Sequence, residues 1–237
     1  MIVYGRNPVR EALRGPRTVA RAWATKNAAR EPWLEAVRPR VVAAEEIEAL
    51  SRSSAHQGVC AEVSEYRYTS ADELLAAPEP FLVALDQVQD PQNLGSIART
   101  VECAGATGLI IPERRAAEVT AAVCKASAGA VEHLPIARVR NLADFLVEAK
   151  KAGCWCYGAD AAGQTSYTDV DYGGGVVLVL GSEGQGIRPR VAATCDALVS
   201  LPLRGRIESL GVSAAAAVLA YEVARGRRLG DGSARAQ

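Results

Sequence analysis

Three stretches of this chain combine residue types that can grip a ligand and an anionic substrate. The first, DQVQDPQNLGSIARTVECAGATG (86–108), offers a carboxamide at Asn93 and a guanidinium at Arg99 behind an Asp90-Pro91 turn. Leu94, Ile97, Val101 and Ala104 share an apolar helical face, so Arg99 should point away from the core, toward the loops at the strand ends. Taken alone, the plainer reading makes Asn93 a helix N-cap and Arg99 a surface cation. The second, VLVLGSEGQGIRPRV (177–191), breaks an apolar strand with Gly181, Gly184 and Gly186, which let backbone groups approach a ligand closely. Its order, G-x-x-G-x-G, is neither the dinucleotide fingerprint nor a P-loop, so a phosphate cradle loses support while an adenosine cofactor stays open. Glu183 within it has a bland reading as an exposed loop acid. The third, SLPLRGRIESLGVSAAAAVLAYEVAR (200–225), passes through Pro202 into a loop whose Arg204 and Arg206 suit phosphate contacts. Ala214 to Ala217 then suit close helix packing, against another subunit among other options.

Each loop directly follows an apolar strand, and the elements around them set the frame. From FLVAL (81–85) onward, short all-apolar strands alternate with helices: GLII (108–111), LPIARV, CWCYGAD (154–160), VVLVL (176–180) and ALVSL (197–201). Such a pattern predicts a parallel sheet covered on both faces, with ligands bound at its C-terminal rim. A different texture precedes it. Helices are expected at Val9 to Leu13, around Trp33 and over Ala44 to Ser53, with strands at RTVARAWAT, Arg40 to Ala43 and GVCAEVSEY. The expected division is a small α/β domain over 1–72, a Pro-containing linker over 73–80, a larger α/β domain over 81–228 and a flexible tail over 229–237.

The 237 residues are 49% hydrophobic and 23% charged, a globular balance that argues against disorder away from the ends. No stretch is long and apolar enough for a membrane span, the start lacks a signal-peptide core, and a cytoplasmic location is expected. Six cysteines (60, 103, 124, 154, 156 and 195) stand in apolar contexts without framework or zinc spacing, so buried thiols are expected and no metal. His56 and His133 read as structural. The formal net charge of zero conceals an asymmetry: residues 1–40 carry nine Lys and Arg against three Asp and Glu, and 41–80 carry two against eight. A basic N-terminal face fits a nucleic-acid partner or a plain solvated surface equally well.

Taken together, the three loops resemble the signature motifs of the SpoU (TrmH-like) RNA ribose 2′-O-methyltransferases of the SPOUT superfamily, in both order and spacing. The N-terminal IVYGRNPVREAL and the HQG at 56–58 resemble the ribosomal-protein-L30e-like substrate-binding domain found in 23S rRNA (guanosine-2′-O-)-methyltransferases. The resemblance implies a catalytic domain with a trefoil knot, S-adenosyl-L-methionine as cofactor, a homodimer, and an RNA substrate, 23S rRNA before tRNA (Gm18 type). It implies catalytic roles for Asn93, Arg99, Glu183 and Ser209, and cofactor contacts from Leu180, Gly181, Gly186, Leu201, Pro202 and Leu210. One departure stands out: the family's S-L-N-V-S reads S-L-G-V-S here, with Gly211 in place of Asn. That departure motivates a rival reading as a non-catalytic RNA-binding or ribosome-assembly factor. A nucleotide-dependent oxidoreductase is weakened by the missing dinucleotide fingerprint.

Overall fold

A computed structural model describes residues 1–207 and 209–234. The chain opens with β1 (Ile2–Tyr4), α1 (Arg6–Arg14), β2 (Val19–Ala24), β3 (Arg40–Val41), α2 (Ala44–Ser51) and β4 (Val59–Val63). The four strands lie in the order β1-β4-β2-β3, with β4 antiparallel to both neighbours and β3 parallel to β2. The helix expected around Trp33 is a 3₁₀ turn over Pro32–Val37, entered through Pro32 and ended by Arg38 in the left-handed region. His56 is buried, and its Nδ1 accepts the Gly58 N–H at 2.9 Å, which closes the turn into β4.

The second body contains α3 (Ala71–Leu75), β5 (Phe81–Asp86), α4 (Pro91–Cys103), β6 (Gly108–Pro112), α5 (Ala121–Ala126), β7 (Ile136–Val139) and α6 (Leu142–Lys151). It continues with β8 (Cys154–Ala159), β9 (Thr165–Ser166), β10 (Gly175–Gly181), α7 (Pro189–Thr194), β11 (Ala197–Ser200) and α8 (Val212–Ala234). Seven strands run in the order β7-β6-β5-β10-β8-β11-β9, and every pairing is parallel. Ile97, Val101, Leu219 and Val223 of α4 and α8 cover one face, while Leu142, Leu146 and Val191 of α6 and α7 cover the other. This is the expected α/β class, and it explains why strands such as β5 and β10 carry apolar residues without alternation. The order also sets β5 beside β10, bringing together the loops that follow them.

Two expected boundaries change. The stretch 73–80 holds the end of α3, capped by Ser70 accepting from Glu73 N–H, with Leu74 buried in the second body's core. Helix α8 continues past Arg225 to Ala234, where a frayed tail from 229 was expected; residues 235–237 lie outside the described residues. Tertiary contact holds the helix beyond Arg225: Gly226 packs on Tyr172, and Arg227 donates to the carbonyls of Glu79 and Pro80.

The two bodies share a packed junction. Arg17, in the turn before β2, donates through Nε to Glu132 Oε2 at 2.8 Å and pairs through its second amino group with Glu132 Oε1. The guanidinium also lies 5.8 Å from the Tyr66 ring centroid and donates to the Ser64 carbonyl. Both side chains are almost wholly buried, at 5% and 0% exposure. Burial alone would depress the Arg17 pKa, but the bonds to Glu132 outweigh it and hold the guanidinium above its usual value. Alongside, His133 Nε2 stands 3.0 Å from Glu11 of α1, and the Tyr66 hydroxyl donates to the Leu134 carbonyl.

Candidate active site

The rim is built from a buried carboxylate upward. Asp86 ends β5 and is fully buried; its Oδ2 accepts the Arg188 backbone N–H at 2.8 Å and its Oδ1 accepts Arg188 Nε at 2.8 Å. Across the sheet Asp86 stands opposite Gly181, the last residue of β10. Between Gly181 and Arg188 the chain makes a tight turn in which Ser182 and Gly186 exchange backbone hydrogen bonds at 3.2 and 3.0 Å. Asp86 therefore fixes the end of that turn, which leaves Glu183 at its tip. Only glycine fits at 181: a Cβ there would lie 2.1 Å from the Gly186 carbonyl carbon and 2.3 Å from Ile187 N.

The helix α4 starts earlier than expected. Asp90 is its N-cap, accepting from Gln92 N–H at 3.0 Å, and Pro91 occupies the first turn. Asn93 is thus not the cap. Its carboxamide is free to face the neighbouring loops: Nδ2 donates to Glu183 Oε1 at 3.2 Å, and Oδ1 accepts from Ser213 Oγ at 2.9 Å. One residue from each of the three sequence stretches joins this chain. Gly211 lies beside it in the left-handed region (φ +76°), and a Cβ there would stand 3.5 Å from Glu183 Oε1. Where the resemblance leads one to expect an Asn, the backbone keeps the conformation that Gly and Asn tolerate best.

A cavity of about 670 Å³ opens beside these groups, within the range of small-molecule and cofactor sites. Its walls include Leu180, Gly181, Glu183, Gly186, Leu201, Ser209 and Leu210 from the expected set. Three expected residues stand off the wall, the first of them Asn93, which bonds Glu183 beside it. Pro202 is exposed and off the wall, because Leu201 and Leu203 flank it in an extended segment and their side chains take the inward side. Arg99 is exposed on α4, and among the described residues it makes no hydrogen bond or ion pair. The geometry joins Asn93 to Glu183 and Ser213 but does not tie Arg99 to them. Residues that sequence reading passed over are Asp86, Arg188, Ser213 and Asp160, the last lining the cavity from the end of β8. The buried acid had a signal, a charge ending the apolar run FLVALD; Ser213 had none beyond its place near the start of a helix.

The cavity fits an adenosine-bearing cofactor on its own terms. Val199, Leu201 and Val212 give apolar surface for a flat ring, the bare Gly181 backbone permits close approach, and Asp160 and Glu183 supply acceptors for polar ends. Among the described residues no helix is long and apolar enough to cross a membrane.

Comparison with known proteins agrees with this geometry. Residues 80–221 match the model of the SpoU rRNA Methylase family, and residues 2–69 match a model described as RNA 2′-O ribose methyltransferase substrate binding. The chain is 40% identical to YacO of Bacillus subtilis, assigned by name to the TrmH family of tRNA/rRNA methyltransferases, over 95% of each chain. It is 41% identical to an uncharacterized tRNA/rRNA methyltransferase of Mycobacterium ulcerans over 95% of this chain and 77% of that one. Its fold is similar to the SpoU methyltransferase AviRb of Streptomyces viridochromogenes in complex with AdoMet (TM-score 0.80, 27% identity, 95% of this chain and 89% of that one). An AdoMet-bound rRNA methyltransferase of Sinorhizobium meliloti is similarly close (TM-score 0.79, 28% identity, 94% and 86%).

Proposed function

The chain belongs to the SpoU (TrmH-like) family of S-adenosylmethionine-dependent RNA methyltransferases, and from that footing we propose that it methylates a ribose 2′-hydroxyl, that of a guanosine in 23S rRNA. The observation that carries the reading is the Ser213–Asn93–Glu183 chain of hydrogen bonds at the mouth of the glycine-walled cavity. The bound cofactor supplies an electrophilic methyl carbon on a sulfonium. The protein's task is to align the ribose oxygen behind that carbon and to accept the negative charge that develops as the hydroxyl proton leaves. Alignment alone is worth about 7–11 kcal/mol of barrier. Asn93, held at both ends, presents a fixed amide edge to the nucleotide, and Glu183 is held in turn. Ser209 offers a hydroxyl from the cavity wall.

Arg99 takes its place once RNA is bound. A guanidinium already carries its proton and is a poor acceptor of another, so its role is to lie against the target phosphate and ribose and to stabilise the forming alkoxide. Its exposure, with no hydrogen bond or ion pair to another of the described residues, suits such a role. Arg99→Lys should lower turnover by about 10²–10³-fold with RNA affinity little changed, because lysine lacks the planar fork. Single-turnover assays with labelled cofactor check this, and near-normal turnover would remove Arg99 from the chemistry.

The homodimer has support in α8. Val212, Ala216, Leu219 and Val223 are buried along one face, whereas Val218 and Tyr221 remain 40% and 51% exposed on the opposite one. Val218→Glu should shift the protein from dimer to monomer in sedimentation. A variant still dimeric at micromolar concentration would place the interface elsewhere. The trefoil knot is part of the same proposal, supported by Leu201, Leu203 and Ser209 to Val212 lining one cavity with the 181–187 turn before α8 packs onto α4. A cytoplasmic location accords with six free thiols. Labelled methyl transfer onto undermodified 23S rRNA and tRNA tests the substrate: labelling of rRNA supports the reading, and labelling of tRNA alone replaces it with a tRNA enzyme.

A further inference from the structure

Lys125 has no counter-ion at the junction of the two bodies. Its side chain leaves α5 toward the small domain, with Nζ 5.9 Å from the Tyr4 ring centroid, and among the described residues it makes no hydrogen bond or ion pair. The acids nearby are already engaged: Glu11 with Arg10, Arg14 and His133, Glu31 with Arg6, and Glu132 with Arg17. Burial pushes the Lys125 pKa down, with no opposing charge to offset it. The side chain is half-buried, and an ammonium so placed without a charged partner among the described residues can take one that the protein does not supply.

The surroundings indicate what kind. Gly5 adopts φ +97°, and a Cβ there would meet Lys125 Nζ at 2.5 Å and Gln57 Oε1 at 3.1 Å, so the ammonium and the carboxamide converge over a bare backbone. Gln57 Oε1 accepts the Arg6 N–H at 3.0 Å, which turns the rest of this exposed amide outward as a donor. From this point Arg6, Arg10 and Arg14 continue along one face of α1 at successive four-residue intervals, a stripe roughly 12 Å long. An ammonium and an outward amide N–H at the head of a row of guanidinium groups, themselves paired with Glu31 and Glu11 at the surface, match a chain of phosphates better than a single small anion.

We propose that Lys125 and Gln57, closing over Gly5, seat one backbone phosphate of the RNA substrate where the two domains meet, so that the substrate is gripped by both bodies at once. The proposal rests on the reading of the chain as an RNA-modifying enzyme. The test uses the full-length protein, unmodified 23S rRNA and tRNA transcripts, and a salt titration of binding for the wild type, Lys125→Gln, Lys125→Met and Lys125→Arg. Lys125→Gln and Lys125→Met should bind about tenfold more weakly at fixed salt, and their log–log salt slope should fall by about one. Lys125→Arg should keep most of the slope, and S-adenosylmethionine affinity measured by calorimetry should be the same in all four proteins. Wild-type affinity and slope in both neutral variants would overturn the seat while leaving the RNA reading intact. A lowered melting temperature in Lys125→Met with an unchanged slope would also overturn it, by making the ammonium structural. Absence of salt-dependent binding of either transcript to the wild type would remove the seat and the RNA reading together.

Discussion

Glu132→Gln should destabilise the protein by about 3–5 kcal/mol, because it strands the Arg17 guanidinium in a site where both partners are almost fully buried. Gln can accept one hydrogen bond from Arg17 but cannot balance its charge. For a chain of this size the loss corresponds to a fall of roughly 8–15 °C in melting temperature by calorimetry. The double variant Arg17→Met/Glu132→Leu should recover most of it, since an apolar pair needs no compensation for desolvation. A Glu132→Gln protein within about 1 kcal/mol of wild type would show that water reaches the pair and that the junction is looser than described. The expected effect extends to function, because Arg17 also holds Ser64 and Tyr66, at the start of the chain leading into the methyltransferase body.

The second large effect is local. Gly181→Ala should lower kcat/KM by about 10²-fold or more, with a matching loss of S-adenosylmethionine affinity, because the added methyl collides with backbone atoms of Gly186 and Ile187 that no rotamer can clear. The 182–186 turn must move by the order of 1 Å, and Asp86, fixed to Arg188, leaves it little room to do so. Gly205→Ala is the control. It lies in the third stretch, and an added Cβ there meets nothing within 4 Å, so cofactor affinity should stay near wild type. Calorimetric titration of both variants separates a steric cradle from a general sensitivity of the rim.

Much of the second body was legible because buried parallel strands announce themselves as unbroken apolar runs. FLVAL, GLII and VVLVL read directly as β5, β6 and β10 for that reason. Of the strands of two or three residues, only β3 was expected, within Arg40 to Ala43. Ile2–Tyr4 and Thr165–Ser166 owe their geometry to partners distant in sequence, β4 and β11, and carry no period of their own. Taken alone, Asn93 reads as a cap because Asp90 and Asn93 are both good cap residues, and the choice falls to Asp90 once Pro91 opens the helix. The three loops were recognised as belonging together by their resemblance to a family, and the structure supplies the physical link, an amide with one bond to each of the other two. Asp86 and Ser213 escaped because their importance lies in partners 102 and 120 residues away.

The most direct measurement asks which atom receives the methyl group. A ribose 2′-O-methyl removes the nucleophile by which alkali cleaves the neighbouring phosphodiester, so a modified site leaves a gap in an alkaline ladder. Incubating the purified protein with S-adenosylmethionine and an unmodified 23S rRNA transcript should open one gap, 3′ to a guanosine, that is lost with Arg99→Lys. A complete ladder despite methyl incorporation would put the group on a base, and the account of Arg99 beside a forming alkoxide would be wrong.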